Sequence, residues 1–239
     1  MADDRPQTTA IAIAIGLIGF LGGTVGYSLT RDLVTSTVGR PGPVYEQWVA
    51  VVGFGLGTVA TVGLFLAASD RGTEFVDLAW PTRRDLAAIL AGLVAIFGLY
   101  GAVTLVRHVL AIPSAQSQVG QAIEASSAPT AVVGLVVLSV IVVGPTEELL
   151  FRNVVQKRLR AAYSGPAAIV IASLFFAAPH LGQYASGPVA GTIVSLVTVF
   201  VLATVLGSVY EATGNLLVPA AVHGLFNAVQ IVAAWMFLP

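Results

Sequence analysis

Seven apolar stretches, six of them about 20 residues or longer and able to cross ~30 Å of hydrocarbon and one short, constrain this chain more than any other feature. They fall at residues 10–29, 48–68 and 86–106, from about 131 through a polar break towards 163, and at 166–180, 187–210 and 216–237. Inside a bilayer only helices and closed barrels satisfy the backbone, and apolar runs of this length read as helices. The expected fold is therefore all-α, a polytopic transmembrane bundle of about seven spans. Composition agrees, with 56% hydrophobic residues, 10% charged residues and a mean hydropathy of +0.90. The first run is too long for a signal-peptide core and has no clear cleavage site, so it reads as a retained span.

Charge is scarce and unevenly placed. Nine of the 12 acids precede position 125, and after it only Glu147, Glu148 and Glu211 remain, which makes nucleic acid an improbable partner. Without cysteine there is no disulfide, thiolate nucleophile or thiolate ligand. Counting Lys and Arg on alternate sides of seven spans gives 8 (Arg5, Arg71, Arg83, Arg84, Arg152, Lys157, Arg158, Arg160) against 3 (Arg31, Arg40, Arg107). The positive-inside rule then expects a cytoplasmic N-terminus in a multi-pass membrane protein. Loops are expected around Arg31, Asp32 and Arg40 to Pro43, and from Arg107 to Pro129; residues 70–85 form a polar connection with Phe75, Leu78 and Trp80 in the interface plane. Gly19/Gly23 and Gly53/Gly57 permit close helix packing.

Two acids and an arginine interrupt the fourth run at Glu147, Glu148 and Arg152. An ionisable side chain at membrane depth is unfavourable by roughly 2.5–3.5 kcal/mol, so this placement points to a buried polar site. Glu148 and Arg152 stand four apart and can pair, while Glu147 points about 100° away. Further on, His180 ends a short apolar segment, and His223 and Asn227 share one helix face. At 1.5 Å per residue, Glu147, His180, His223 and Asn227 lie roughly 15, 21, 12 and 18 Å from one set of helix ends, a common layer. Glu147 suits a general base with His180 as its partner, and His223 with Asn227 can stabilise an oxyanion. Glu147, His180 and His223 are also a zinc ligand set, although they come from three helices rather than a compact motif, so zinc and no cofactor both stay open. Phe176 reads as packing against the site, His108 as an interface residue, Glu211 as a loop-end charge, and Gln183 and Tyr184 as near enough to touch substrate.

In these motifs the sequence resembles the CPBP intramembrane proteases, which include the type II CAAX prenyl endopeptidases and the Abi-type proteins. Glu-Glu-x-x-x-Arg is met by Glu147, Glu148 and Arg152, Phe-x-x-x-His by Phe176 and His180, and His-x-x-x-Asn by His223 and Asn227. The likeness covers residues 130–232 and divides the chain into N-terminal spans, 1–129, and a catalytic membrane domain, 130–239. It implies an endopeptidase whose cavity opens to cytoplasm and membrane, with Glu147 and His180 activating water, His223 and Asn227 stabilising the oxyanion, and Glu148, Arg152 and Phe176 supporting. The implied partners are membrane lipid and a membrane-associated or lipidated peptide, such as a prenylated Cys-a-a-X tail. The rival reading is a transporter or scaffold that uses buried Glu and His for protons or ions.

Overall fold

The computed structural model describes residues 5–69, 72–126 and 128–237. Asp70, Arg71 and the first four residues lie outside the described residues, so Arg71 drops out of the structural account of the charge count. All regular structure among the described residues is helical, and seven helices are long and apolar enough to cross a membrane. In chain order they are α1 (Arg5–Val38), α2 (Pro43–Ala68), α3 (Arg83–Val109), a short α4 (Gln118–Glu124), α5 (Pro129–Leu159), α6 (Gly165–Tyr184), α7 (Val189–Thr213) and α8 (Leu217–Phe237).

Three loop expectations are corrected. Arg31 and Asp32 belong to α1, which continues to Val38; Glu46 at the start of α2 accepts from Tyr27 and pairs with Arg31, tying the polar extension down. Residues 107–129 hold α4, whose Ala122 and Ile123 are buried beside Val44, Val132 and Leu135, with Ser117 capping its first turn. The fourth span stops at Leu159 rather than near Tyr163. Between α2 and α3, Phe75 packs against Phe65, and the Lys157 ammonium sits 4.5 Å from its ring centroid. Lys157 also donates to the Phe75 carbonyl and to Asp77, and Tyr210 donates to Asp77, so this connector is clamped to the ends of α5 and α7. Leu78 and Trp80 are exposed.

Glycine sets two close helix crossings. On α1, Gly22 and Gly26 meet Gly57 and Gly53 of α2 backbone to backbone, with no room for a side chain, and Gly23 of the expected pair meets α2 through its side chains. Gly19 instead abuts Leu150 on α5, and Gly23 abuts Phe54 and Thr58. The second crossing joins α5 to α8: a Cβ on Gly144 would lie 2.5 Å from the Ala220 carbonyl, and one on Gly224 would lie 2.7 Å from the Val140 Cα. This brings the polar stretch of α5 against the His223 turn of α8.

Helix α5 is not uniform. Its Ser139–Val143 and Leu149–Gln156 segments are π-helical, flanking an α-helical Gly144–Glu148. Pro145 supplies a reason for the first, because it has no N–H to continue the i−4 ladder; the Gly144 N–H reaches back five residues to the Ser139 carbonyl. The diacid therefore sits between two locally widened turns.

Candidate active site

Glu148 is the buried anchor. It is fully excluded from solvent, accepts from Arg152 Nε at 2.9 Å through Oε2, and accepts from His223 Nδ1 at 2.9 Å through Oε1. The expected Glu148–Arg152 pair is present; the second contact pairs His223 with Glu148, whereas helical spacing pairs it with Asn227 and a zinc set with Glu147 and His180. A carboxylate only accepts, so Nδ1 of His223 carries the hydrogen and Nε2 is left facing elsewhere. Arg152 is the largest completely buried side chain, and its guanidinium lies 5.2 Å from the Phe176 ring centroid.

Glu147 is the free member of the pair. It is half-buried, and its Oε2 is buried without a hydrogen-bond partner among the described residues. This is the asymmetry that helical spacing implies: one carboxylate locked into ion pairs, its neighbour one step round the helix with an unused oxygen.

His180 lies in the single 3₁₀ turn of α6, Ala178–His180, just past Pro179. Its Nδ1 is 2.8 Å from the Phe176 carbonyl, which can only accept, so Nδ1 donates and Nε2 is the nitrogen left without a partner in the helix. Phe176 is the post around which the site is assembled. Its ring packs against His180 (centroids 4.9 Å), His223 (5.7 Å) and Phe151 (5.1 Å) as well as the Arg152 guanidinium. Its expected packing role thus extends to both histidines and the arginine.

Asn227 lies one turn beyond His223 on α8, half-buried, and its amide makes no hydrogen bond among the described residues. Nor does a hydrogen bond join Glu147 to His180 there. The structure thus links Glu148, Arg152, His223, Phe176 and His180 through contacts, and leaves Glu147 and Asn227 with unused polar atoms. Of the other residues singled out, His108 is exposed near the end of α3, and Glu211 is ion-paired with Arg160 at 2.8 Å rather than a bare loop charge. Gln183 and Tyr184 close α6, where the Tyr184 carbonyl accepts from Thr192.

The zinc alternative does not find its ligand cluster. Among the described residues no three His, Asp or Glu side chains are grouped to hold a metal ion. At both histidines Nδ1 is committed, His223 to Glu148 and His180 to the Phe176 carbonyl, so Nε2 is the ring nitrogen left for chemistry.

Sequence reasoning missed Asn153, Gln156 and Ser173, all fully buried on or beside the polar face of α5. Asn153 accepts from the Asp77 N–H and Gln156 donates to the Gly207 carbonyl. A signal existed, because Glu148, Arg152 and Gln156 recur every four residues within an otherwise apolar run.

Residues 129–229, somewhat less than half of the chain, match the family described as type II CAAX prenyl endopeptidase Rce1-like. This match supports the CPBP/CAAX protease family for the segment it covers. That segment contains every residue of the three motifs, from Glu147 to Asn227. The family supports a protease, and with seven apolar helices it supports an integral, multi-pass membrane protein. It carries no support for an Abi-type assignment. No curated protein and no solved structure matches the chain.

Proposed function

We propose that the chain is an intramembrane endopeptidase in which Glu147 activates water against a peptide bond. The observation that carries this reading is the buried, unpartnered Oε2 of Glu147 beside a second glutamate already committed to Arg152 and His223. Glu147 takes a proton from water, and His180 Nε2, with its lone pair free, accepts the other hydrogen and orients the nucleophile. Hydroxide attacks the scissile carbonyl. The oxyanion that forms accepts hydrogen bonds from the Asn227 amide and from Nε2–H of His223 as imidazolium, for which Glu148 is the counter-ion. With Glu147 and Glu148 negative and Arg152 and His223 positive, the resting site carries no net charge, which suits its burial. Collapse of the tetrahedral intermediate breaks the C–N bond, and the proton held by Glu147 passes to the leaving amine. No step is routed through a metal.

For substrate, the family supports the C-terminal tripeptide of a prenylated Cys-a-a-X protein, whose lipid would lie among the membrane-facing apolar side chains. The test is a quenched-fluorescence peptide panel, with and without farnesyl, offered to the detergent-purified protein with and without a chelator. Cleavage of the farnesylated peptide after its cysteine, preferred over the bare peptide and unchanged by chelation, is the expected result. Cleavage abolished by chelation would replace the metal-free mechanism. No cleavage of any peptide by well-folded protein would favour the transporter or scaffold reading.

A further inference from the structure

Behind the ion pair lies a second polar group of atoms. Nη1 and Nη2 of Arg152, Oε1 of Gln156 and Oγ of Ser173 are all buried, on side chains with no solvent exposure, and have no hydrogen-bond partner among the described residues. The orientation of the Gln156 amide follows from its neighbours. Its nitrogen donates to the Gly207 carbonyl and faces Glu211 Oε2, both acceptors only, so Oε1 must point the other way. It shares a patch with the guanidinium: a Cβ on Gly207 would lie 2.8 Å from Gln156 Oε1 and 3.4 Å from Arg152 Nη1, so both atoms approach one bare patch of α7. Ser173 is buried on the adjoining face of α6. On α6 it lies between Ile169, which touches the Gly207 patch, and Phe176, on whose ring Arg152 stacks, and all three share a buried face.

We propose that this niche holds ordered water, bridging Arg152 Nη atoms to Gln156 Oε1 and Ser173 Oγ, and that Gln156 and Ser173 are thereby positioning residues for the Arg152–Glu148–His223 chain. Four unused N–H hydrogens on a guanidinium beside two unused oxygens are the donor and acceptor set that buried water satisfies with about three hydrogen bonds. Water fits better than an anion, because an anion there would meet the Glu148 carboxylate already paired with Arg152. The fork, held at both ends, fixes the Glu148 carboxylate and through it the imidazole of His223. The kinetic part of this inference rests on the proposed hydrolysis; the solvent site does not.

The experiment joins a high-resolution structure of the wild type with kinetics of Ser173→Ala and Gln156→Met on the farnesylated peptide. Density for solvent within about 3.2 Å of both an Arg152 Nη and Gln156 Oε1 is expected, and it should disappear in Gly207→Ala. Both polar variants are expected to lose about tenfold or more in kcat with KM unchanged, because the substrate-binding surface is untouched while the imidazole is displaced. Ser173→Thr, which restores a hydroxyl, should recover turnover where Ser173→Val does not. A dry niche in the wild type, or full kcat in both polar variants, overturns the inference. If the wild type cleaves nothing, the hydrolytic reading fails and the density alone decides the solvent site.

Discussion

Glu147 and Glu148 are chemically identical neighbours with different environments, and the difference follows from angle. Glu148 looks down the face shared with Arg152 and towards α8, so it accepts two hydrogen bonds; Glu147 is rotated off that face and keeps a buried oxygen unused. Removing one partner of a buried ion pair strands the other, so Arg152→Met is expected to destabilise the fold by about 3–5 kcal/mol. Arg152→Met combined with Glu148→Gln should be less damaging than the separate losses added together, as measured by thermal unfolding in detergent. Phe176 touches both histidines, Phe151 and Arg152, so Phe176→Ala should cost about 3–5 kcal/mol and abolish turnover, whereas Phe176→Leu should keep much of the stability and still lose most of the turnover. The titratable members of this site were legible because charge in an apolar run is conspicuous. Gln156 and Ser173 were not, since an amide and a hydroxyl are common helix glue and only the packed neighbours show that their oxygens are left over.

At the scale of the helix, apolar length was enough to find seven spans, because the bilayer thickness dictates it. It could not locate helix ends where polar residues sustain a helix, as Arg31, Tyr27 and Glu46 do for α1. Nor could it register the glycines: residues three or four apart on an apolar helix offer several stripes, and only packing shows that Gly22 and Gly26 meet the α2 backbone, Gly23 meets α2 side chains and Gly19 meets α5. Gly57→Leu, which drives a side chain into the α1 backbone, should therefore cost at least about 1–3 kcal/mol, while Gly63→Leu, with open space around it, should be near neutral in the same unfolding assay. The two π segments of α5 were equally hidden, although Pro145 was in plain sight, because a missing N–H can be absorbed by a kink, a break or a widened turn.

For the molecule as a whole, the N-terminal spans are built onto the matched segment: Gly19 abuts Leu150, and Trp48 Nε1 donates to the Ala131 carbonyl at 2.8 Å. The excess of Lys and Arg on one set of helix ends predicts the orientation, and the absence of cysteine makes it simple to read. In intact cells a membrane-impermeant maleimide should label Arg40→Cys, and should label Arg84→Cys only after permeabilisation; the reverse pattern would invert the topology. All of the functional reading depends on one carboxylate with one unused oxygen. The most direct measurement is steady-state cleavage of a farnesylated Cys-a-a-X peptide by the wild type and by Glu147→Gln, a change that preserves shape and removes the base. The expected result is turnover in the wild type and a loss of at least about a hundredfold in kcat in the variant, with its unfolding temperature retained. Equal turnover in both proteins would contradict the assignment of Glu147 as the group that activates water.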